Sequence, residues 1–361
     1  MKEPLDGKAL VYCDGAFNTP NGKTAHGLVR FTERYQAVGV IDQDYANQDA
    51  GQVLDGKPNG VPVFATLEAA VTALESQGNT PTHLVIGLAP DGGRLPPEAK
   101  ETIRKALQRG WNVDSGLHDF LTKNEEFRQL ATTHGGTIRD VRKTPDRDEL
   151  HFFTGAIERV TCLKLAVLGT DSALGKRTTA WLLVQGFRNN GLKAEMIGTG
   201  QTAWMQGARY SMIMDSCIND FVSGEIEHAV VSAWEQEQPD VIVIEGQGSL
   251  MNPAYPGGFE ILAAGRPDYV ILQHAPRRVE YDGFPGYPLH PLPQQIQAIE
   301  MISGKKVIAV TVNHELMTED EIEPTCRAIT QETGLPAFDV LAHGPDELVR
   351  MLLSKVNEKS A

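Results

Sequence analysis

The sequence predicts an α/β protein with two doubly wound parallel sheets, and three observations support this. Short apolar runs alternate with amphipathic segments, which is typical of strands joined by crossover helices. Some runs are apolar without alternation, such as 83–88 and 163–169, and such strands are buried on both faces of a sheet. The pattern breaks at 139–153, where a charged segment has no apolar period. We therefore predict two domains, residues 1–150 and 151–361.

The first domain contains five predicted strands. They lie in KALVYCDG, AVGVID, VPVF, HLVIGLAP and WNVDSGL, at 8–15, 37–42, 61–64, 83–90 and 111–117. A helix follows the third strand up to residue 78, and another is predicted at 98–110, where Gly110 ends it. Strands and helices in alternation predict a parallel sheet with right-handed crossovers.

The second domain repeats this alternation. Its predicted strands are LKLAVLG, KAEMIGTG, DVIVIEGQG, YVILQHAP and KKVIAVTVNHE, at 163–169, 193–200, 240–248, 269–276 and 305–315. Its predicted helices are TTAWLLVQGFRNNG, most of the stretch from YSMIMD to EQEQ, and PDELVRMLLSKVNEK, at 178–191, 210–238 and 345–359.

Composition excludes several classes of partner. Acidic residues outnumber basic ones 47 to 33, and a net charge of -14 argues against binding to a nucleic-acid backbone. No apolar run approaches the roughly 18–20 residues of a membrane span, and MKEPLDGKALVY lacks the apolar core of a signal peptide. The four cysteines form no C-x-x-C pair, which favours buried thiols in a reducing compartment. We expect a cytoplasmic protein with a small-molecule substrate.

The most informative segment is the glycine-rich turn between a buried strand and a helix. Gly169 and Gly175 allow the backbone to approach an anion, and the N–H groups at the start of the helix point towards it. Lys176 adds a positive charge. We predict that this turn binds the phosphates of a cofactor; a plain turn with an incidental lysine is the alternative. The predicted cofactor-binding residues here are Gly169, Thr170, Asp171, Ser172, Gly175, Lys176, Arg177, Thr178 and Thr179.

One position departs from the phosphate loops of nucleotide hydrolases. Arg177 stands where those loops carry the Ser or Thr whose hydroxyl binds Mg²⁺. Thr178 and Thr179 follow, but each residue of a helix is turned by about 100° from the last. We therefore predict no bound metal, and a phosphate-bearing cofactor that is held without being cleaved.

Polar residues follow the other predicted strands of the second domain, at the edge where ligands bind in such sheets. Glu245 and His274 are the candidate bases. Asn313 is a candidate for contact with the base of a nucleotide. The predicted substrate-binding residues are Gln201, Thr202, Gln247, Ser249, Arg277 and Arg278, of which the arginines suit carboxylates. A role in turns or surface loops is the alternative for each.

In the first domain, three turns at one edge of the sheet suggest a second crevice. They contain GKTAHG at 22–27, APDGG at 89–93 and SGLH at 115–118. The first of these resembles a phosphate loop without its full glycine framework. Glycines needed only for turning are the alternative.

The motifs GTDSALGKRTT, GTGQT, IEGQGSL, HAPRR and VNHE, together with GKTAHGL, LDGKPNGVPVF, LVIGLAPDGG and SGLHDFL, resemble one family over nearly the whole chain. It is the D-glutamate N-acetyltransferase-like family, formerly of unknown function and also labelled an NAD-dependent epimerase. The resemblance implies a Rossmann-like first domain and a phosphate-loop second domain similar to dethiobiotin synthetase. It also implies acetyl-CoA as donor and D-glutamate as acceptor. The epimerase label is disfavoured, because no G-x-G-x-x-G follows the first strand.

Three functions follow from these observations. The leading one is an N-acetyltransferase, in which a base deprotonates the amine of an acidic amino acid for attack on a thioester. The second is an ATP-dependent ligase of the dethiobiotin synthetase type, with Mg²⁺ held by Asp171, Thr178 and Glu245. The third is a nucleotide- or CoA-binding protein without catalysis. We expect a homo-oligomer.

Overall fold

The structure is a computed structural model that describes residues 6–360, so the first five residues of the segment considered for a signal peptide lie outside it. The chain forms two compact units. The first comprises Met1–Thr144 with Gln201–Ala208, and the second Pro145–Gly200 with Arg209–Ala361. Each unit contains one sheet of parallel strands flanked by helices, which confirms the predicted α/β class.

The first unit has a six-stranded sheet in the order β3-β2-β1-β4-β5-β6. This is the order of a Rossmann-type sheet, in which the connections change direction between β1 and β4. The strands are β1 Gly7–Tyr12, β2 Tyr35–Ile41, β3 Val63–Phe64, β4 His83–Ile86, β5 Asn112–Ser115 and β6 Ile138–Asp140. The helices are α1 Lys23–Arg30, α2 Ala50–Asp55, α3 Leu67–Ser76, α4 Ala99–Gln108 and α5 Glu125–His134.

The second unit has a seven-stranded sheet in the order β13-β12-β11-β7-β10-β8-β9. Its strands are β7 Leu163–Gly169, β8 Ala194–Gly198, β9 Tyr210–Ser211, β10 Val241–Glu245, β11 Tyr269–His274, β12 Lys306–Val312 and β13 Ala337–Phe338. The helices from this point on are α6 Lys176–Asn189, α7 Gln201–Met205, α8 Asn219–Glu237, α9 Phe259–Ala264, α10 Leu292–Ser303, α11 Glu319–Thr333 and α12 Asp346–Ser360. All except α7 belong to the second unit.

The central strand of the second unit is β7, all seven residues of which are buried. Its neighbours are β10 on one side and β11 on the other, and β10 precedes β11 in the chain. The connection between these two strands therefore crosses β7. In parallel sheets such a switch point opens a crevice at the carboxyl ends of the strands, which is where β7 runs into the glycine-rich turn.

Two segments differ from the sequence-based expectation. The segment 139–153 contributes its first two residues to β6, because Arg139 and Asp140 pair in parallel with Asp114 and Ser115 of β5. The stretch at 210–238, expected to be mostly helical, begins with β9 and becomes helical from Asn219.

Among the described residues no helix has the length and apolar character needed to cross a membrane. All four cysteines are free thiols, of which Cys13 is buried and the others are partly exposed.

Candidate functional site

The turn predicted to bind phosphate, named the phosphate-binding turn for that prediction, joins β7 to α6 in the second unit. Gly175, the residue before α6, has a φ of +90° and open space where a Cβ would stand. At Gly169 a Cβ would lie only 2.9 Å from Lys176 Cδ and 3.1 Å from its Nζ. Glycine at 169 therefore lets the lysine fold back over the turn, and glycine at 175 lets the backbone enter the helix in a left-handed conformation.

Lys176 lies inside this turn. Its Nζ donates to the carbonyl oxygen of Asp171 at 2.7 Å, and the side chain is buried. Burial is the main cause that lowers the pKa of Lys176 to about 8; the negative charges of Asp171 and Glu245 oppose this shift, and the positive charge of Arg278 adds to it. Asp171 and Glu245 only partly compensate for the burial of this ammonium group, and a bound phosphate would add a further negative charge beside it.

Asp171 is completely buried, and both of its carboxylate oxygens accept hydrogen bonds. Oδ1 accepts from Asn252 Nδ2 and from the amide of Ser172, both at 2.7 Å. Oδ2 accepts from Arg278 Nη1 and from the amide of Asp282, both at 2.8 Å. The carboxylate therefore connects the phosphate-binding turn to the loops that follow β10 and β11.

Arg278 and Arg277 have different surroundings. Arg278 donates Nε and Nη2 to the two carboxylate oxygens of Glu315 at 2.7 and 2.8 Å, and Nη1 also reaches the Ser172 carbonyl oxygen at 2.8 Å. Arg277 is about half exposed and donates to Glu321 at 2.5 Å. Their predicted role with substrate carboxylates stays a prediction, and for Arg278 it requires an exchange of these partners.

Glu245 ends β10 and is buried. Its Oε2 accepts from the amide of Thr199 at 2.8 Å and from the hydroxyl of Thr199 at 3.3 Å. Burial raises the pKa of Glu245, while the positive charge of Arg177 and the hydrogen bonds from Thr199 and Gly200 oppose that shift. Arg177, which stands where nucleotide hydrolases carry the metal-binding hydroxyl, therefore places positive charge near this carboxylate.

His274 ends β11, and its Nδ1 lies 3.0 Å from Thr170 Oγ1. Burial lowers the pKa of His274 to about 4, and the charge of Arg278 acts in the same direction. The imidazole is therefore neutral at neutral pH.

Two further predicted residues support the turn or its helix. Asn313 donates from Nδ2 to the carbonyl oxygen of Leu174 at 3.0 Å, so it holds the turn from the side of β12. Thr179 donates to Gln273 Oε1 at 2.6 Å. Thr178 is partly exposed.

Gln247 and Ser249 follow β10 and line a narrow pocket that begins at Gly169. Ser249 is 2% exposed, and its Oγ has no hydrogen-bond partner among residues 6–360. Gly200 allows Gln247 to approach, because a Cβ at that position would lie 2.8 Å from Gln247 Nε2. These residues, Glu245, His274 and the phosphate-binding turn lie at the carboxyl ends of neighbouring strands of one sheet.

Gln201 and Thr202 belong to the first unit, although they directly follow a strand and loop of the second. Thr202 Oγ1 lies 2.9 Å from Thr24 Oγ1, and Gln201 packs so closely that a Cβ at Gly116 would lie 2.7 Å from its Cγ. Their predicted role in binding substrate stays a prediction.

The first turn of the first unit is closed. A Cβ at Gly22 would lie 2.6 Å from the carbonyl oxygen of Ala16 and 2.7 Å from that of Phe17. Asp42, after β2, is completely buried and accepts from the amides of Phe17 and Asp44 at 3.0 and 2.9 Å. The acidic residue that dinucleotide-binding sheets use to bind ribose is therefore engaged with the backbone here.

Two supporting residues of the second unit, Asn252 and Gln273, were missed by the sequence-based prediction. Asn252 lies 81 residues from Asp171, and Gln273 lies 94 residues from Thr179, so no local pattern could pair them.

Comparison with known protein families identifies this arrangement. A family model described as a domain of unknown function (DUF1611_C), P-loop domain, matches residues 151–349, and a DUF1611_N Rossmann-like domain matches residues 43–144. The chain belongs to the DUF1611 family. Its fold is therefore a Rossmann-like domain followed by a P-loop domain, which confirms the predicted fold class and two-domain family.

Similar proteins include two that carry a functional name. Each is named D-glutamate N-acetyltransferase; one is from Tritonibacter scottomollicae and is 30% identical over 288 residues, covering 78% of this chain and 84% of that protein. The other, from Pseudoalteromonas sp, is 30% identical over 278 residues, covering 74% and 80%. The crystal structure of a DUF1611 family protein from Anabaena variabilis ATCC 29413 is 29% identical, with a TM-score of 0.87, and covers 96% of this chain and 99% of that one.

Proposed function

We propose that this protein transfers the acetyl group of acetyl-CoA to the amine of D-glutamate. The observation that carries the proposal is the phosphate-binding turn, in which Lys176 is buried beside an opening helix and Asp171 is fully hydrogen-bonded within the protein. Such a turn suits a phosphate-bearing carrier that is held and released intact. The name of the two relatives, at 30% identity over most of the chain, supports this reaction class.

The residues that would hold the phosphates of CoA are Lys176 and the amides that open α6. A resident Mg²⁺ fits poorly, because both oxygens of Asp171 already accept hydrogen bonds and Glu245 accepts two from Thr199. In addition, Arg177 acts on Glu245 with a positive charge of its own. The proposed reaction therefore uses no metal ion.

Acetyl transfer needs a base for the ammonium group of the acceptor. Of the two candidates, Glu245 suits this role better, because burial raises its pKa towards neutrality, where a carboxylate is a more effective base. His274 has a pKa of about 4 and is a weak base. We propose that Glu245 takes the proton from the amine and that His274, neutral and bonded to Thr170, keeps the end of β11 in place.

Attack of the amine on the thioester places negative charge on the carbonyl oxygen. Donors for that charge are the side-chain amide of Gln247 and the backbone N–H groups of the glycine turns beside it. Because these groups sit on short turns after buried strands, they need little rearrangement to act.

The experiment is to follow thiol release from acetyl-CoA in the presence of D-glutamate or L-glutamate. We expect release with D-glutamate, and a fall in kcat of about 10²–10⁴-fold in Glu245→Gln, with little change in the KM for acetyl-CoA. Glu319→Gln, at the exposed start of α11, is the matched control and should retain full activity. No release above background with either enantiomer would reject the proposal, and ADP formation from ATP would favour a ligase instead.

A further inference from the structure

The carboxylate of Glu315, in the turn at 313–318 after β12, makes a two-point contact with Arg278. Nε and Nη2 of Arg278 donate to its two oxygens at 2.7 and 2.8 Å. This paired contact is the one by which an arginine binds the planar carboxylate of a small ligand. Arg278 is therefore already arranged to receive a carboxylate, and a side chain of the protein itself is bound in that place.

The remaining contacts of Arg278 hold its guanidinium group in one orientation. Nη1 donates to Asp171 Oδ2 and to the carbonyl oxygen of Ser172, both at 2.8 Å. Asp171 is completely buried, so this side of the guanidinium is anchored to the phosphate-binding turn. The edge that carries Nε and Nη2 therefore keeps its direction whichever carboxylate it binds.

Glu315 is held less firmly than the other acidic side chains around the turn. Asp171 accepts four hydrogen bonds, and the buried Glu245 accepts from the amide and the hydroxyl of Thr199. The side chain of Glu315 is 31% exposed, and within residues 6–360 its carboxylate accepts from Arg278 alone. Of these three carboxylates, Glu315 can thus leave its partner at the lowest cost.

The charges at this edge of the sheet also favour its departure when a ligand binds. Positive charge comes from Lys176, Arg177 and Arg278, and negative charge from Asp171, Glu245 and Glu315. The charges of these side chains cancel before a ligand is present. An anionic ligand adds negative charge, which repels an acidic side chain already bound there. Displacement of Glu315 restores the balance and frees two donors for the ligand.

The turn that carries Glu315 can change its arrangement without disturbing packed side chains. The Glu315 amide donates to Asn313 Oδ1 at 2.9 Å, and the next residue, Leu316, has a φ of +60° and is 86% exposed. A left-handed conformation costs free energy for a residue other than glycine, and an exposed leucine recovers little of that cost by burial. Such a turn can adopt a second conformation at a low cost.

We propose that Glu315 holds the place of an acceptor carboxylate on Arg278 and is displaced when D-glutamate binds. The inference rests on the proposed function, because it assigns the group that binds the acceptor of that reaction. Glu315 is in this account a specificity residue, because a ligand without a carboxylate cannot reproduce the two-point contact and does not displace it.

The test is calorimetric titration of D-glutamate into the unmodified protein and into Glu315→Gln. The variant keeps the size of the side chain and removes the charge that competes for Arg278, so affinity for D-glutamate should rise about tenfold. Glu315→Ala should raise it at least as much. Glu323→Gln removes the same charge from an exposed ion pair with Arg327 on α11, and as the control it should leave the affinity within about twofold.

The direction of the change distinguishes this role from a structural one. If Glu315 only positioned Arg278, its loss would release the guanidinium group, and affinity for D-glutamate would fall or stay unchanged. Either result would overturn the proposal. Arg278→Lys keeps the positive charge without the paired donors and should weaken D-glutamate binding by about tenfold or more. Unchanged binding in that variant would also contradict the proposal.

Titration with CoA distinguishes a carboxylate from a phosphate group as the ligand that displaces Glu315. Loss of a negative charge favours any anion to some extent, so affinity for CoA should rise by less than about threefold in Glu315→Gln. A rise of about tenfold for CoA with none for D-glutamate would reject the proposal, since a phosphate group would then take the place of Glu315.

The outcomes separate this proposal from the proposed function. Tighter binding of D-glutamate by Glu315→Gln, with no thiol release from acetyl-CoA by the unmodified protein, would support the displacement and reject acetyl transfer. Thiol release with D-glutamate, without tighter binding by the variant, would reject the displacement and leave acetyl transfer standing. If neither protein binds D-glutamate, the displacement is also rejected.

Discussion

Each unit contains a strand, a turn and a helix with Gly-Lys at its start, but the two turns differ in conformation. In each, the first buried strand of a parallel sheet leads through a turn into a helix that starts with Gly-Lys, Gly22-Lys23 in the first unit and Gly175-Lys176 in the second. Gly22 has a φ of -89°, and carbonyl oxygens pack against its Cα. Gly175 has a φ of +90° and open space beside it. A short glycine-lysine motif therefore does not define a phosphate site; the conformation of the turn before it does.

The buried carboxylates of the two units show the same contrast. Within residues 6–360, the Asp42 carboxylate accepts hydrogen bonds from backbone amides alone, so it stabilises its own turn. Asp171 also accepts from Asn252 and Arg278, which belong to the loops after β10 and β11. Asp42 therefore stabilises a single turn, whereas Asp171 connects three segments of the second unit.

The largest expected effect comes from replacing these carboxylates. Asp171→Asn removes the charge that faces the partly buried Arg278, and we expect the free energy of unfolding to fall by about 3 kcal/mol. No ion pair with Asp42 is present in the part of the chain that the structure describes, and Asp42→Asn should lower the free energy of unfolding by about 1–2 kcal/mol. Urea unfolding measures both. Equal losses would mean that Arg278 contributes nothing through Asp171.

The next effect concerns the two lysines. Lys176→Ala should weaken CoA binding by roughly 1–3 kcal/mol, because a charge-assisted hydrogen bond to phosphate is lost. Lys23→Ala is the matched variant and should bind CoA as the unmodified protein does. Titration calorimetry provides both values. If Lys23→Ala lost affinity for CoA and Lys176→Ala did not, the phosphate site would lie in the first unit.

The sequence predicted the conformation of one of these two turns and not that of the other. The apolar run of β7, Gly169 and Gly175 predicted the phosphate-binding turn, because local spacing determines it. The closed turn at Gly22 could not be foreseen, since the carbonyl oxygens that close it depend on the packing of Phe17 and Asp42. The same holds for Asn252, whose partner is 81 residues away.

The sequence also did not indicate that the segment Gln201–Ala208 belongs to the first unit. Gln201 and Thr202 follow a strand of the second sheet, and the sequence suggested nothing else. The structure places them in the first unit, where Gln206 of the same segment donates to the carbonyl oxygens of Gly27 and Phe31 at 2.9 and 2.8 Å. Such side-chain to backbone bonds leave no periodic pattern in a sequence.

A smaller effect is expected from pH. Since burial lowers the pKa of Lys176 to about 8, its charge is lost as the pH rises through 8, and affinity for CoA should fall by up to about tenfold per unit above it. Stability should change in the opposite direction: between about 8 and 10.5 the unfolded chain binds more protons than the folded one, so the contribution of this group rises with pH. Lys176→Gln should show neither trend in calorimetry or urea unfolding.

The smallest expected effect is that of removing metal ions. Because Asp171 and Glu245 are engaged within the protein and Arg177 supplies positive charge, a chelator should leave thiol release unchanged, and added Mg²⁺ should not increase it. A reaction that stops with the chelator and recovers with Mg²⁺ would contradict this reasoning and favour a ligase.

The most direct test of the central claim is hydrogen–deuterium exchange with and without acetyl-CoA. The claim is that the turn at 170–177, and not the turn at 13–22, holds the phosphates of the cofactor. We predict slower exchange of the amides in 170–177 on addition of acetyl-CoA, with unchanged exchange in 13–22. Slower exchange in 13–22 with no change in 170–177 would contradict the account.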